Sequence, residues 1–272
     1  MSPQPLSILV TGASSGIGLA AARQLAAAGH RVVGTSRSPR SDDERPFEMA
    51  TMDVLDAESV EACVAAVLAQ GPIDVLVNSA GFGLAGALED TSDAEALLQF
   101  DTNLLGVHRV CRAVLPSMRA RGAGRIVNIG SMGGSFTVPF QGLYCASKAA
   151  LRSYTESLRM EVRPFGITAT VIEPGDFATG FTDSRRYTER SGEGSAYQAA
   201  MRVTMDICER DERAGGDPAM VAQAVTTAIG AANPRGRYVV AALLLQRLAP
   251  AIKWLLPAAL FEAIMRDTYK IG

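Results

Sequence analysis

The sequence has 272 residues, 48% of them hydrophobic and 20% charged, which fits one large α/β domain or at most two small ones with a sizeable core. The formal net charge of −2, without any Lys/Arg-rich run, argues against nucleic acid as a partner. Two histidines, and four cysteines without metal-ligand spacing, give no indication of a metal centre or of a Ser-His-Asp triad.

The N-terminal residues lead directly into an apolar segment. Residues 6–10 are predicted to form a short buried strand, with prolines on its N-terminal side. Because nothing that resembles a signal peptide precedes this strand, we expect a cytoplasmic protein.

A glycine-rich turn follows the first strand. Residues 11–18 read Thr-Gly-Ala-Ser-Ser-Gly-Ile-Gly and open an Ala/Leu-rich helix that ends near Gly29, as expected of a C′ glycine. Strand, glycine turn and helix are the context of a dinucleotide-binding loop, in which the backbone approaches a pyrophosphate at the helix N-terminus. The alternative is a βα turn without a ligand. The predicted cofactor contacts in this loop are Gly12, Ser14, Ser15, Gly16, Ile17 and Gly18.

The second predicted strand, residues 30–36, ends in Arg37. In dinucleotide folds an acidic residue at this position binds the ribose hydroxyls, whereas an arginine accommodates a 2′-phosphate. The acidic residues Asp42, Asp43 and Glu44 come only later, in a polar loop. Arg37 therefore favours NADP(H) over NAD(H), with Ser14 as a second phosphate contact. The alternative is a solvated arginine at a strand edge.

Asp53 and Val54 follow the third predicted strand, residues 47–52, at the edge where ligands of such sheets bind. We include both among the cofactor contacts. Asp53 has an alternative role, because it also stands close enough to cap the helix predicted over residues 56–69.

A fourth, fully apolar strand over residues 73–77 leads into a second candidate loop, and a helix is predicted over residues 94–118. Asn103 lies in the middle of that apolar helix, where asparagine has poor propensity. Its buried amide either satisfies nearby backbone or serves a site. The cofactor contacts predicted in the loop are Asn78, Ala80 and Gly81.

The fifth predicted strand, residues 125–130, places Ser131 just beyond its C-terminal end. A helix then runs from Tyr144 to about residue 164. Because positions four apart share a helix face, Tyr144 and Lys148 point the same way. The ammonium is expected to lower the pKa of the phenol towards the range useful for acid-base catalysis. The alternative is a surface helix with a half-buried tyrosine and a solvated lysine.

The sixth predicted strand, residues 168–172, is followed by Pro174 and Gly175. Strands that alternate with helices at this spacing predict right-handed βαβ units and a Rossmann-type, doubly wound parallel sheet between two helical layers. Every polar candidate falls after a strand or at a helix start, so one rim of the sheet should collect them.

In this order the motifs resemble those of the short-chain dehydrogenase/reductase family, single-domain type, over residues 6 to about 179. The glycine loop is similar to the family's cofactor loop, and the segment that begins with Asn78 to its Asn-Asn-Ala-Gly motif. Ser79 replaces the second Asn of that motif, which we expect to alter a structural hydrogen bond. Asn103, Ser131, Tyr144 and Lys148 match the catalytic tetrad, and Pro174, Gly175 and Thr179 match the nicotinamide-side loop.

The resemblance implies one Rossmann domain over residues 1–272 that moves a hydride between NADP(H) and a carbonyl or alcohol. Tyr144 would be the general acid/base, Ser131 would orient the substrate oxygen, and Lys148 would also bind the nicotinamide ribose. Asn103 would hold a water that reprotonates Lys148, and Thr179 would touch the carboxamide. The resemblance also implies a homodimer or homotetramer. A non-catalytic sensor or scaffold of NADP(H) is the alternative function.

Residues 177–216 are polar and of mobile appearance, and the resemblance implies a substrate lid there. Asp217 and Pro218 are predicted as N-cap and first residue of a helix, followed by a last strand over residues 238–240.

The C-terminal stretch, residues 241–267, is rich in leucine, but polar residues and Pro250 and Pro257 interrupt it. A membrane-spanning helix is therefore not predicted. Three interpretations remain: packing in the core or between subunits, a wall of an apolar substrate pocket, or contact with a membrane surface. The second interpretation favours a hydrophobic, steroid- or retinoid-like carbonyl.

Overall fold

The computed structural model describes residues 5–39 and 45–271. The main sheet consists of β1 (Ser7–Thr11), β2 (Arg31–Ser36), β3 (Glu48–Thr51), β4 (Val75–Asn78), β6 (Gly124–Ile129), β7 (Ile167–Pro174) and β9 (Arg237–Val240). All of its neighbouring strands run parallel, in the order β3-β2-β1-β4-β6-β7-β9. Two short strands, β5 (Leu84–Ala85) and β8 (Arg186–Tyr187), form a separate parallel pair.

Helices cover both faces of the main sheet. They are α1 (Gly16–Ala27), α2 (Ala57–Ala69), α3 (Asp93–Phe100), α4 (Gly106–Arg121), α5 (Gly142–Val162), α6 (Gln198–Arg213), α7 (Ala219–Gly230), α8 (Leu244–Leu255) and α9 (Ala258–Thr268). Successive strand residues face opposite sides. Leu9 and Leu76 pack with α2, α4 and α5, whereas Ile8 and Val75 pack with α1 and α7. This confirms the predicted doubly wound fold.

The strand order reverses between β1 and β4, and this reversal positions the site. The chain winds from β1 towards β3 on one side, and from β4 towards β9 on the other. Loops that leave the carboxyl ends of β1 and β4 therefore diverge and open a crevice, where ligands of open α/β sheets bind.

Asp56, not Asp53, caps α2. The Asp56 carboxylate accepts a hydrogen bond from Glu58 N at 2.9 Å, while Asp53 accepts one from Leu55 N at 3.0 Å within its own loop. The alternative role of Asp53 as a helix cap is therefore wrong.

The helix predicted over residues 94–118 is divided. A π-helical turn, Asp101–Leu105, joins α3 to α4 and contains Asn103. One extra residue in the turn shifts the side chains that follow, and such turns are frequent at functional sites. Apolar periodicity continues through the turn, so the sequence pattern alone did not indicate it.

The segment 177–216 is more ordered than its polar sequence indicated. It contains β8 and α6, and the Arg185 side chain is completely buried and ion-paired with Glu212. A buried charge with a partner replaces the mobile loop that the composition favoured. After this segment, α7 begins at Ala219, one residue later than predicted, and Asp217 accepts a hydrogen bond from Ala219 N at 2.8 Å.

The apolar C-terminal stretch does not enter the core of this chain. Neither α8 nor α9 has a buried residue, and Trp254 is 85% exposed. The interpretation as core packing within the chain is wrong for α8, because Leu244, Leu248 and Leu255 are 71%, 46% and 71% exposed. None of the helices in the described part of the chain is long and apolar enough to cross a membrane.

Candidate functional site

A cavity of about 730 Å³ opens at the carboxyl ends of the main strands. It is lined by most of the predicted site residues: Gly12, Ser14, Ser15, Gly16, Ile17, Arg37, Asp53, Val54, Ala80, Gly81, Ser131, Tyr144, Lys148, Pro174, Gly175 and Thr179. Gly18, Asn78 and Asn103 lie behind this lining, where they hold other parts of the site in place.

The glycine loop packs so closely that side chains are excluded. At Gly12, whose φ is +66°, an added Cβ would lie 2.8 Å from Ala80 N. At Gly18 it would lie 2.3 Å from the carbonyl oxygen of Gly12. These contacts draw the loop back against α1 and leave the space in front of the helix free.

The N-terminus of α1 has the chemistry of an anion site. Ser15 stands at its N-cap without a side-chain capping bond, and the first turn holds no acidic residue. The free N–H groups and the helix dipole therefore face the cavity without a competing carboxylate. This cradle fits a pyrophosphate.

The loop after β4 is tied to the glycine loop by one hydroxyl. Thr11 Oγ1 accepts hydrogen bonds from Ser79 N at 3.1 Å and from Ala80 N at 3.2 Å. The backbone at position 79 is thus held whether that side chain is Asn or Ser.

Asn78 does not reach the cavity. Its side chain is 2% exposed and donates to Asn128 Oδ1 at 2.9 Å and to Cys111 Sγ at 3.4 Å. It braces β4 against β6, because the strand pairing places it opposite Asn128. The side chain thus has a structural role in the sheet, and the cofactor contact predicted for Asn78 stays a prediction.

Asn103 does not line the cavity either, and it contributes to the site through hydrogen bonds to neighbouring residues. Its amide oxygen accepts from Phe82 N at 3.1 Å, and its amide nitrogen donates to Phe82 O at 3.0 Å and to Ser147 Oγ at 3.1 Å. Gln99 adds a bond to Leu84 N at 2.8 Å. Two buried amides from α3 and the π turn thus fix the segment that follows Gly81.

Ser131, Tyr144 and Lys148 come together at the end of β6 and the start of α5. Ser131 and Tyr144 both lie against Gly133, where an added Cβ would be 3.4 Å from Ser131 Oγ and 3.5 Å from Tyr144 Cε1. Ser131 Oγ accepts a hydrogen bond from Gly133 N at 3.0 Å. Lys148 Nζ donates to Ile129 O at 3.0 Å and lies 6.0 Å from the centroid of the Tyr144 ring. A hydroxyl pair beside a buried amine is a set of groups that can bind an oxygen atom and move a proton.

The ionisation of this group differs from the sequence-based expectation. Burial raises the pKa of Tyr144, and the neighbouring Ser131 hydroxyl opposes that rise only in part. Burial lowers the pKa of Lys148 to about 8. The predicted lowering of the Tyr144 pKa by Lys148 is wrong, because the ammonium is directed to Ile129 O and the phenol is enclosed. The alternative of a solvated lysine is wrong as well, since Lys148 is 8% exposed.

Arg37 lies at the far end of the cavity, beyond the C-terminus of β2. It is exposed, and it shares that end of the lining with Ser14. Residues 42–44, which the sequence places in the following polar loop, lie outside the described residues.

Part of the lining was not predicted. Phe181 stacks on Tyr144 with 5.6 Å between ring centroids, and Gln246 of α8 donates a hydrogen bond to Asp176. Burial, and then the nearby Glu212, raise the pKa of Asp176 to about 6. Asp176 lies within the last recognised motif, next to Gly175, whereas Phe181 falls in the expected lid and Gln246 in the stretch for which a pocket wall was one of three interpretations. No spacing rule singled out these side chains. Other lining residues that were not predicted include Phe82, Phe136, Val138 and Tyr269.

The described residues contain no group of three or more His, Cys, Asp or Glu side chains arranged to hold a metal ion.

Comparison with known proteins gives a consistent result. A profile of the short chain dehydrogenase family matches residues 7–190. The 3-ketodihydrosphingosine reductase of Bacteroides thetaiotaomicron is 40% identical over 269 residues, which cover 98% of this chain and 99% of that protein. A solved short-chain dehydrogenase from Streptomyces avermitilis has a TM-score of 0.81 and 36% identity, covering 97% of this chain and 99% of that one. The solved structure of an actinorhodin polyketide ketoreductase with NADPH has a TM-score of 0.73 and 35% identity, and the match covers 89% of this chain and 98% of that one.

Proposed function

Because the chain belongs to the short-chain dehydrogenase family, we propose that it interconverts a hydrophobic carbonyl compound and its alcohol, with NADP(H) as cofactor and Tyr144 as general acid/base. The observation that carries the proposal is the placement of Ser131 and Tyr144 in one cavity beside the buried Lys148. These groups line the same cavity as the glycine loop. A protein that only senses a nucleotide has no need of a proton donor at that place.

The residues present fit a nicotinamide dinucleotide. When bound, NADP(H) would supply or accept the hydride. The glycine loop and the α1 N-terminus would hold the pyrophosphate, and Arg37 with Ser14 would hold the 2′-phosphate. Further contacts would come from Asp53, Val54, Ala80, Gly81, Tyr144, Lys148, Pro174, Gly175 and Thr179.

The ionisation states favour reduction near neutral pH. The raised pKa keeps Tyr144 protonated, so its hydroxyl can give a proton to the substrate oxygen that Ser131 orients. Lys148, with a pKa of about 8, is mostly charged at pH 7 and, by family resemblance, would bind the nicotinamide ribose. Asn103 would hold the segment around Phe82 and, by family resemblance, the water that reprotonates Lys148.

The substrate would be lipid-like. Phe82, Phe136 and Phe181 give the cavity an aromatic wall on the side of Tyr144, and Leu245 extends it towards α8. A relative that is 40% identical over 269 residues is named a reductase of 3-ketodihydrosphingosine, a lipid ketone. Long-chain ketones therefore come first among substrates to test, followed by steroid and retinoid carbonyls.

A fluorescence titration with NADPH, combined with turnover assays, tests this function. Tyr144→Phe should lose about 100- to 10,000-fold in kcat while it binds NADPH as the parent protein does. Tyr154→Phe, on the same helix but hydrogen-bonded to His108 outside the cavity, is the matched control. Equal turnover in all three proteins would mean that Tyr144 is not the acid, and absence of turnover in the parent would favour a sensor.

We also propose a homodimer or homotetramer, formed through α4 and α5 as in related proteins of the family. The exposed Met160 on α5 and Phe165 just after it, 71% and 45% accessible, support an apolar contact there. Light scattering coupled to size-exclusion chromatography measures the mass, and a monomer at micromolar concentration would contradict the proposal.

A further inference from the structure

Helix α8 has one face that is anchored to the site. Gln246 donates a hydrogen bond to Asp176, and Lys253 Nζ donates to Ser135 O at 2.9 Å. Gln246 and Lys253 are seven residues apart, so they lie two turns apart on one side of the helix. That side faces the protein.

The opposite face of α8 is an apolar stripe that is exposed to solvent. Leu244, Leu248 and Leu255 share this face, and they are 71%, 46% and 71% exposed. Trp254, the only tryptophan of the chain, adjoins them and is 85% exposed. Large exposed apolar patches of this kind mark contacts with a protein or a membrane.

The stripe continues on α9. Leu260 and Ile264, one turn apart, are 50% and 45% exposed, while Phe261 packs inward with its ring centroid 6.2 Å from that of Phe136. The two helices are joined at Leu256 and Pro257. Together they form an apolar surface, which we call the α8–α9 surface.

The charges on this surface indicate what covers it. The cation of α8 away from its anchored side is Arg247, because Lys253 lies on that side and donates to Ser135 O; α8 has no acidic residue, and α9 contains Arg266 together with Glu262 and Asp267. A two-fold contact through α8 would place the Arg247 side chains of both copies close together. Anionic lipid headgroups complement Arg247, and an amphipathic helix with leucine, tryptophan and a basic residue is typical of a membrane interface.

The α8–α9 surface is continuous with the cavity. Leu245 belongs to the cavity lining and is nevertheless 72% exposed, and Thr268 and Tyr269 at the end of α9 line the cavity too. The uncovered leucines and the mouth of the substrate cavity are thus formed by the same two helices.

We propose that the α8–α9 surface docks on an anionic lipid bilayer, with Trp254 in the headgroup region and Leu245 at the junction between bilayer and cavity. A lipid-like carbonyl then enters the cavity without passing through water. The docking is inferred from the exposed α8–α9 surface alone, whereas the delivery of substrate also depends on the proposed function.

The docking can be measured on Trp254 without a label, because all tryptophan emission of the protein comes from this residue. Vesicles of phosphatidylcholine with phosphatidylglycerol should shift the emission to the blue, and brominated phosphatidylcholine in them should quench it. Vesicles of phosphatidylcholine alone should bind more weakly. Co-sedimentation gives the partition coefficient in parallel.

Leu244→Glu combined with Leu255→Glu should lower the partition coefficient by about tenfold or more, since two leucines are no longer buried in lipid. Leu97→Glu, at a leucine of α3 that is 69% exposed, is the matched control and should bind as the parent protein does. Oligomeric mass is measured for all three proteins. Because neither Leu244 nor Leu255 lines the cavity, turnover of a water-soluble ketone should be unchanged in the double variant, while turnover of a vesicle-borne ketone should fall.

Three outcomes separate the explanations. Unshifted emission and no sedimentation with either vesicle would overturn the docking. A self-association that the double variant abolishes, without vesicle binding, would assign the surface to a second copy and overturn it equally. Vesicle binding by a protein that turns over no carbonyl would retain the docking and reject the proposed function.

Discussion

The side chain of Asn103 pairs with the backbone of Phe82 twice, accepting from its N–H at 3.1 Å and donating to its carbonyl at 3.0 Å. A neighbouring strand would offer the same two bonds, but here a side chain from a π-helical turn supplies them. The pairing fixes the segment that follows Gly81. A Cβ added at Gly81 would lie 3.7 Å from Lys148 Nζ. One amide therefore determines how closely this segment approaches the lysine.

Asn103→Leu should be strongly destabilising. It leaves the Phe82 N–H without its buried partner, at a cost of about 1–3 kcal/mol, whereas the Phe82 carbonyl keeps the bond that Gln99 Nε2 donates at 3.1 Å. Urea denaturation measures the loss. Thr102→Val, which removes only a bond to Leu98 O within the same turn, should cost about 1 kcal/mol or less. Equal losses in the two variants would contradict a special role for the Asn103 amide.

The glycine loop gives a second prediction, at Gly18. A methyl group there would lie 2.3 Å from the carbonyl oxygen of Gly12, so Gly18→Ala must push the loop away from α1. We expect NADPH binding to weaken at least about tenfold, because the N–H groups of the loop no longer converge on one phosphate. The measurement is the same fluorescence titration as for the parent protein.

Gly230→Ala is the control for this substitution. Gly230 ends α7, and an added Cβ there meets nothing within 4 Å. Its NADPH affinity should equal that of the parent protein. If Gly18→Ala also kept the parent affinity, the close packing of the loop would not matter for binding.

The sequence was sufficient for the sheet and for those lining residues that belong to the recognised motifs. Apolar runs, glycine turns and the parallel topology together require that Ser131, Tyr144 and the glycine loop meet at one edge. The same local rules did not distinguish Asn78 from its neighbours. Its position opposite Asn128 depends on strand register, and register is a property of the sheet rather than of the motif.

Elements without a local signal were not predicted. The short pair β5 and β8 joins segments about one hundred residues apart, and the burial of Arg185 depends on Glu212 from another element. The pKa of Tyr144 was predicted in the wrong direction for a related reason. Helical spacing placed Lys148 on the same face, but it did not show that the ammonium is directed to Ile129 O or that Phe181 covers the phenol.

Arg37 offers a test of cofactor preference. Arg37→Ser should weaken NADPH binding by about 10- to 100-fold, which is the loss of affinity expected when one charge-assisted hydrogen bond is removed. NADH binding should be unchanged. Arg23→Ser, at an exposed arginine of α1 outside the cavity lining, controls for net charge. A parallel loss of NADPH and NADH affinity, or the same loss in both variants, would show that Arg37 does not recognise the 2′-phosphate.

Lys148 gives a prediction about stability and pH. Its pKa falls from 10.5 to about 8 in the folded protein, so between these values the unfolded chain binds more protons than the folded one. Stability contributed by this group therefore rises with pH across that window, because the penalty for burying the charge is complete below about pH 8 and disappears towards pH 10.5.

Lys148→Met isolates this contribution, because other titrating groups are common to both proteins and cancel in the difference. The free energy of unfolding of the parent protein minus that of the variant should increase by about 3 kcal/mol between pH 8 and 10.5, since each pKa unit corresponds to about 1.36 kcal/mol. Between pH 6 and 7 the difference should be flat, which serves as the internal control. Urea denaturation across the pH series measures both ranges. A difference that stays constant up to pH 10.5 would mean that the lysine is as well solvated in the folded protein as in the unfolded chain, and the buried amine beside Tyr144 would then have to be abandoned as a feature of the site.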